Sequence, residues 1–299
     1  MTTWIPLLLA DPSPCLRLLV LRDLLHLPED DPEVQELAGL RDEDDLVCDL
    51  FSLQEADGSW GAGILPGTTG NSRLRVTTHV LTRLGYLGFD RTHPAVQRGA
   101  EYLFTQQRED GAFPLAGEGE AEVEWGRTRY DMMPLQTAFP LRSLALCGYA
   151  ADPRAECAYE WLLAQRLEDG AFPVGISNGV YGYIAGYRRL AHSRWGCRSH
   201  TTGALQCLSL HPERRKSMEA RRALDLLLGR ETRDAHAVGF EVARMTGAEA
   251  LHGFTSYYAR FDLALILDLC ARIGAGLDDP RVADLAAFLG ATALPRTEI

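Results

Sequence analysis

One helix-and-turn unit is written twice in this chain. Residues 94–114 read PAVQRGAEYLFTQQREDGAFP, and residues 153–173 read PRAECAYEWLLAQRLEDGAFP. Pro94, Glu101, Leu103, Gln106, Glu109, Asp110, Gly111, Ala112, Phe113 and Pro114 recur with no gap, and Tyr102 is answered by Trp161. A third copy, Leu53-Gln54-Glu55-Ala56-Asp57-Gly58-Ser59-Trp60, keeps the Gln, the Asp-Gly pair and the aromatic, with its Gln one place nearer the Gly. A unit repeated at this spacing buries its apolar face against its neighbours, so the chain must be an array of stacked modules.

Each copy has a local physical reading. His93-Pro94 and Asp152-Pro153 set a capping side chain before a proline at the first helical position, where the missing N–H costs nothing. Asp31-Pro32 and Asp279-Pro280 repeat that opening. Within 94–107, Val96, Ala100, Leu103 and Phe104 make an apolar stripe while Gln97, Arg98 and Glu101 face away, as in a helix with one wet side. The Asp-Gly pair ends it, because glycine takes the positive φ of a helix terminus cheaply.

Between these half-wet helices lie others, such as 134–149 and 257–273, that are apolar nearly all round, as expected of helices buried on every side. Five inner/outer pairs follow: 15–27 with 31–54, 72–88 with 94–107, 134–149 with 153–166, 198–210 with 214–229, and 257–273 with 280–289. The long first outer segment has room for an extra short helix. The expected fold is an all-α toroid, a double ring of five or six α/α hairpins in one domain over 1–299, with strand content near zero.

Composition narrows the function classes. The formal net charge is −11, which disfavours broad phosphate-backbone contact and therefore a nucleic-acid partner. Lys216 is the single lysine, no Gly-Lys-Ser/Thr phosphate loop exists, and Schiff-base chemistry would have to use Lys216. The 7 cysteines are scattered and mostly lie in apolar runs, the pattern of buried thiols in a reducing compartment. The opening apolar run is broken by Pro6 and ended by Asp11, and no later window approaches the ~20 apolar residues of a membrane span. A cytoplasmic protein is expected, with peripheral membrane contact left open.

Connections from inner to outer helix are short, whereas those from outer to inner helix (61–71, 115–133, 167–197 and 230–256) are long. In an up-and-down toroid the long ones gather on the rim where inner helices begin, and long loops on a rigid scaffold carry function. Glu118, Glu120, Glu122 and Glu124 alternate with other residues before Trp125, as in a solvated acidic loop. Tyr181, Tyr183, Tyr187 and Trp195 lie in a glycine-containing loop, where they either line a cavity or plug its mouth.

The pattern Arg98-Gly99-x-x-Tyr102-Leu103-x-x-x-Gln107-x-x-x-Gly111-x-Phe113 resembles the QW repeat of squalene–hopene cyclases and related terpenoid cyclases. The β subunits of protein prenyltransferases share that toroid. The opening Asp11-Pro-Ser-Pro-Cys-Leu-Arg-Leu-Leu-Val-Leu-Arg-Asp-Leu-Leu looks like stand-alone bacterial proteins with the prenyltransferase/squalene-oxidase repeat. The resemblance covers most of the chain and weakens after about residue 196. It implies a small hydrophobic, isoprenoid-like ligand in a central cavity, with aromatic faces that stabilise developing carbocations. His79, Tyr130, Tyr181, Tyr183, Tyr187 and Trp195 are the candidate substrate contacts. Asp42-Glu43-Asp44-Asp45 matches the Asp-x-Asp-Asp protonation motif by letters, but it sits in a charged connection, where solvated helix-start charge explains it.

Asp131 and Asp262, each near the start of an inner helix, are the candidate catalytic carboxylates, with Tyr257 and Tyr258 beside the second. Two facing carboxylates would also suit a glycosidase on an α/α toroid, against which the QW-like turns weigh. Cys197 and His200 stand three apart at the start of the fourth inner helix, a spacing that lets thiolate and imidazole share Zn²⁺. A third ligand would come from Asp262 or His252; the Asp-x-Cys pair of the prenyltransferase zinc site is missing here. A buried thiol beside a helix-capping histidine reads equally well. The alternative to an enzyme is a non-catalytic toroid scaffold that binds a ligand or a partner protein.

Overall fold

The computed structural model describes residues 5–45, 47–65, 72–114, 133–174, 176–177, 180–181, 190, 192–229 and 263–293. The chain divides into two compact units, residues 1–106 with 115–121 and 146–149, and residues 107–114 with 122–145 and 150–299. In the first unit the helices are α1 (Ile5–Leu9), α2 (Pro14–Leu19, continued by a π-turn Val20–Leu24), α3 (Pro32–Leu40), α4 (Cys48–Ser52), α5 (Arg73–Tyr86) and α6 (Pro94–Thr105). A 3-10 turn, Arg41–Glu43, separates α3 from α4, so the first outer segment is two helices. The second unit has α7 (Pro134–Leu144), α8 (Pro153–Ala164), α9 (Arg198–Leu210), α10 (Met218–Leu228), α11 (Leu263–Ile273) and α12 (Pro280–Ala293). The fold is all-α. Among the described residues, strand is limited to β1 (Ile176–Ser177) paired antiparallel with β2 (Val180–Tyr181) and one isolated bridge, Pro173 to Gly196.

The alternation of buried and half-wet helices holds for α9 and α10, whereas α11, expected to be buried on every side, exposes Asp268, Ala271 and Arg272. Helix α9 is buried at Arg198 and from His200 through Ser209, packed against α7, α10 and α11. Helix α10 buries one stripe, Ala220, Ala223, Leu224, Leu227 and Leu228, at helical spacing. The caps follow the sequence: Asp31 accepts from Glu33 and Val34, His93 Nδ1 from Ala95, Asp152 from Arg154, and Asp279 from Arg281.

The repeated turn is built the same way three times. Asp57, Asp110 and Asp169 each accept a backbone N–H two residues on, from Ser59, Ala112 and Ala171 at 2.9, 3.1 and 2.9 Å. The glycines between have φ of +87°, +93° and +98°, which L side chains rarely adopt. A Cβ on Gly58 would stand 2.3 Å from the Arg98 carbonyl oxygen, and one on Gly111 2.3 Å from that of Cys157. The amides of Trp60, Phe113 and Phe172 then donate to the hydroxyls of Thr77, Thr137 and Thr201, each at 3.0 Å. Those threonines lie in the first turns of α5, α7 and α9, so every turn pins its aromatic to the start of the next inner helix.

Glutamine closes two of the turns. Gln54 donates to the Gly58 and Ala95 carbonyls at 3.0 and 2.8 Å, and Gln107 to those of Gly111 and Arg154 at 3.0 and 2.9 Å. The gap-free alignment pairs Gln106 with Gln165 instead, but Gln106 reaches only Thr105 and Gln165 only the Trp161 carbonyl. In the third turn the bridging register holds Arg166, whose guanidinium lies 3.9 Å from Glu219 on the following outer helix.

Candidate functional site

The sequence candidates fall into two sets. Tyr130, Asp131, Tyr183, Tyr187, His252, Tyr257, Tyr258 and Asp262 lie outside the described residues, as does the acidic stretch 117–124. Tyr181 lies in β2. His79 is half-buried on α5, and half-buried Trp195 lies under the Arg194 guanidinium, 5.2 Å from the ring centroid.

Cys197 and His200 are both buried at the start of α9. Cys197 is the residue before the helix, in extended conformation, and its amide donates to the Phe172 carbonyl at 2.9 Å. His200 caps nothing: its Nδ1 is buried with no partner, and burial alone pushes its pKa down to about 3. The imidazole is therefore neutral, the form that binds a metal. Among the described residues no group of three or more His, Cys, Asp or Glu stands together as a metal set, so this pair supplies two donors. The 7 cysteines are all free thiols, and burial pushes Cys15, Cys147 and Cys207 up to about 12.

The Asp-x-Asp-Asp letters require a correction. Asp42 and Asp45 are exposed, but Asp44 is buried. It accepts from the Ser13 hydroxyl at 2.5 Å and the Cys15 amide at 2.8 Å, at the N-terminus of α2. Solvated helix-start charge therefore does not describe Asp44. The structure gives it the work of bracing α2 against the α3–α4 connection, where amide donors of a helix start favour a carboxylate.

One recess on the inner helices was not foreseen. It lies between α7 and α9, has room for about one water molecule, and is lined by Leu135, Ala138, Phe139, Arg142, Gly203 and Gln206. The α7 members share one helix face by their spacing. The Arg142 Nη1 donates to Gln206 Oε1 at 3.0 Å, and its guanidinium lies over the Phe139 ring, 5.4 Å from the centroid. The sequence signal was a charge inside a buried apolar helix, the same argument that singles out Asp262 in the last inner helix.

In the second unit, a polar cluster on the connection from α9 to α10 is structural. His211 Nδ1 accepts the amides of Glu213 and Arg214, both at 3.1 Å, so its proton is on Nε2, which donates to Glu156 at 2.7 Å. Burial raises the Glu156 pKa, but the hydrogen bonds from Arg214 and His211 outweigh it and the net shift is downward.

No family model matches the chain, and no curated protein does. Several solved structures are similar to it, two of them as follows. A protein from Actinoplanes is 19% identical, over 95% of this chain and 73% of its own, with a TM-score of 0.48. The type II terpene cyclase MstE from Scytonema, in its apo form, is 18% identical, over 82% of this chain and 76% of its own, with a TM-score of 0.39. No helix among the described residues is long and apolar enough to cross a membrane.

Proposed function

We propose that the hairpins close into one α/α toroid and that its inner helices hold an isoprenoid or other lipid-like small molecule, on which the chain performs terpenoid-cyclase-like or prenyltransferase-like chemistry. The observation that supports this best is the repeated turn. The residues of the QW-like resemblance make one hydrogen-bonded device that fixes Trp60, Phe113 and Phe172 to Thr77, Thr137 and Thr201 of three inner helices. Asp131 or Asp262 would serve as the acid, with Tyr257 and Tyr258 beside the latter. His79, Tyr130, Tyr181, Tyr183, Tyr187 and Trp195 would face the substrate. Cys197 and His200 would hold Zn²⁺ if residues outside the described set complete the site. The free thiols support a cytoplasmic location.

Incubation with farnesyl diphosphate, geranylgeranyl diphosphate and squalene, followed by product analysis, tests the chemistry. A cyclised or transferred product that disappears in Asp131→Asn or Asp262→Asn supports it. Retention of such a ligand without turnover moves the reading to a non-catalytic binding toroid. Neither binding nor turnover removes both. A scaffold reading has its own observation: Leu7 and Leu8 on α1, Leu24 at the end of the π-turn after α2 and Leu25 just beyond it are exposed apolar side chains on adjoining elements.

A further inference from the structure

Along the chain an acceptor side chain stands before a proline that opens a helix or turn at Asp31-Pro32, His93-Pro94, Asp152-Pro153, His211-Pro212 and Asp279-Pro280. Aspartate and histidine alternate, and all of these caps are built alike. The side chain takes the amide two residues on, from Glu33, Ala95, Arg154, Glu213 and Arg281. The backbone carbonyl takes the amide four residues on. His211 also takes the Arg214 amide, as Asp31 takes that of Val34, and so caps the 3-10 turn Arg214–Lys216 that leads into α10.

The two kinds of acceptor differ in when they can work. A carboxylate accepts down to its own acidic range, whereas imidazole Nδ1 accepts only while it carries no proton. In both histidines Nε2 is turned to a carboxylate of the preceding outer segment. His93 Nε2 lies 3.5 Å from Asp42 on the turn after α3, and His211 Nε2 donates to Glu156 on α8 at 2.7 Å. Each ring also meets an aromatic at a steep angle, His93 with Phe89 at 75° and His211 with Tyr159 at 84°. Over those aromatics lie the Arg41 and Arg214 guanidinium groups. The charged and titratable groups about His93 are therefore Asp42, Arg41 and Asp90, with Phe51 stacked on the ring. About His211 they are Glu156, Glu160, Glu213, Arg214 and the Tyr159 phenol.

We infer that His93 and His211 are pH-operated caps: a proton taken up at Nδ1 turns the acceptor into a donor facing the amides it held, and releases the first turn of α6 and the turn before α10 while the aspartate caps of α3, α8 and α12 hold. Asp42 and Glu156 face Nε2 in either charge state, so the rings stay anchored and the release is local and reversible.

The test is amide hydrogen exchange of the full chain, read by mass spectrometry at about pH 7 and about pH 5, with labelling times scaled to the intrinsic exchange rate at each pH. The segments opening at Pro94 and Pro212 should exchange roughly fivefold or more faster at the lower pH, the size expected for a lost cap. Those opening at Pro32 and Pro153 should not change. His93→Asn and His211→Asn each keep a neutral cap acceptor and should abolish the dependence at their own turn. Ring nitrogen chemical shifts of the wild type, which need no variant, should show Nδ1 bare at about pH 7 and protonated at about pH 5. Protection kept at the lower pH after either histidine overturns the device. So does an equal loss after the aspartates, an unchanged dependence in a folded asparagine variant, or a proton already on Nδ1 at about pH 7.

Discussion

At the scale of single residues, the repeated turn concentrates its energy in atoms that tolerate no change. Gly111 combines a φ of +93° with a Cβ direction that points 2.3 Å from the Cys157 carbonyl oxygen. Alanine there has both a strained backbone and a clash with main chain, which cannot swing aside as a side chain could. Gly111→Ala should lower the unfolding free energy by about 2–4 kcal/mol, measured by urea denaturation. Thr137→Val has a different mechanism at the same turn. It keeps the shape but leaves the buried Phe113 amide without an acceptor, at a cost of about 1–3 kcal/mol. A loss below ~0.5 kcal/mol would mean that the turn relaxes and that the threonine is not its anchor.

At the scale of elements, Gln107 joins two of them, since one amide bridges its own turn and the first turn of α8. Gln107→Ala should cost about 1–2 kcal/mol, whereas Gln106→Ala, at the position that aligns without a gap, should be near neutral in the same denaturation assay. That contrast shows what was legible in the sequence. Helix order, the proline-led caps and the Asp-Gly stops could be read because each is a local rule acting within a few residues. The threonine anchors could not. Thr77, Thr137 and Thr201 stand 17, 24 and 29 residues after the amides they receive, because intervening loops differ in length and erase the period. Asp44 was misread for a related reason: its partners, Ser13 and Cys15, are 31 and 29 residues away, and nothing beside it announces burial. Arg142 was passed over because a single arginine in an apolar run looks like a snorkelling surface residue until the neighbouring helix is known. Of the candidate site, chemistry-bearing residues at inner-helix starts are legible in the sequence, but which of them are buried together is not, because that depends on helix packing.

At the scale of the whole molecule, acid stability carries a signature of one residue. His200 is buried with nothing to stabilise its charged form, and its folded pKa lies at about 3, against about 6.5 in the unfolded chain. Between those values the unfolded state binds a proton that the folded state does not, so falling pH favours unfolding. The contribution of neutral His200 is complete above about pH 6.5 and is lost by about 1.4 kcal/mol per pH unit below it. Depressed carboxylates enter later. Asp57 is held low by the Ser59 hydroxyl, and Asp279 is brought to about 2 by the Arg281 hydrogen bonds; each stabilises above the ordinary carboxylate range and is lost only as pH falls through it. From about pH 6.5 to 4.5 these carboxylates do not contribute, and comparison with a His200 variant subtracts whatever else titrates there. His200→Leu, measured beside the wild type by urea denaturation in the presence of a chelator, should flatten the stability curve there by the slope given above and leave the steeper loss below pH 4 in place. Parallel curves for the two proteins would mean that His200 protonates in the folded state near its ordinary pKa, so that the burial seen here is not the one in solution. Repeating the pair with Zn²⁺ in place of chelator separates the other role. Stabilisation of the wild type that is absent from both His200→Leu and Cys197→Ser would place the metal on this pair, because a ligand bound to the folded state raises stability by mass action and only where its donors exist.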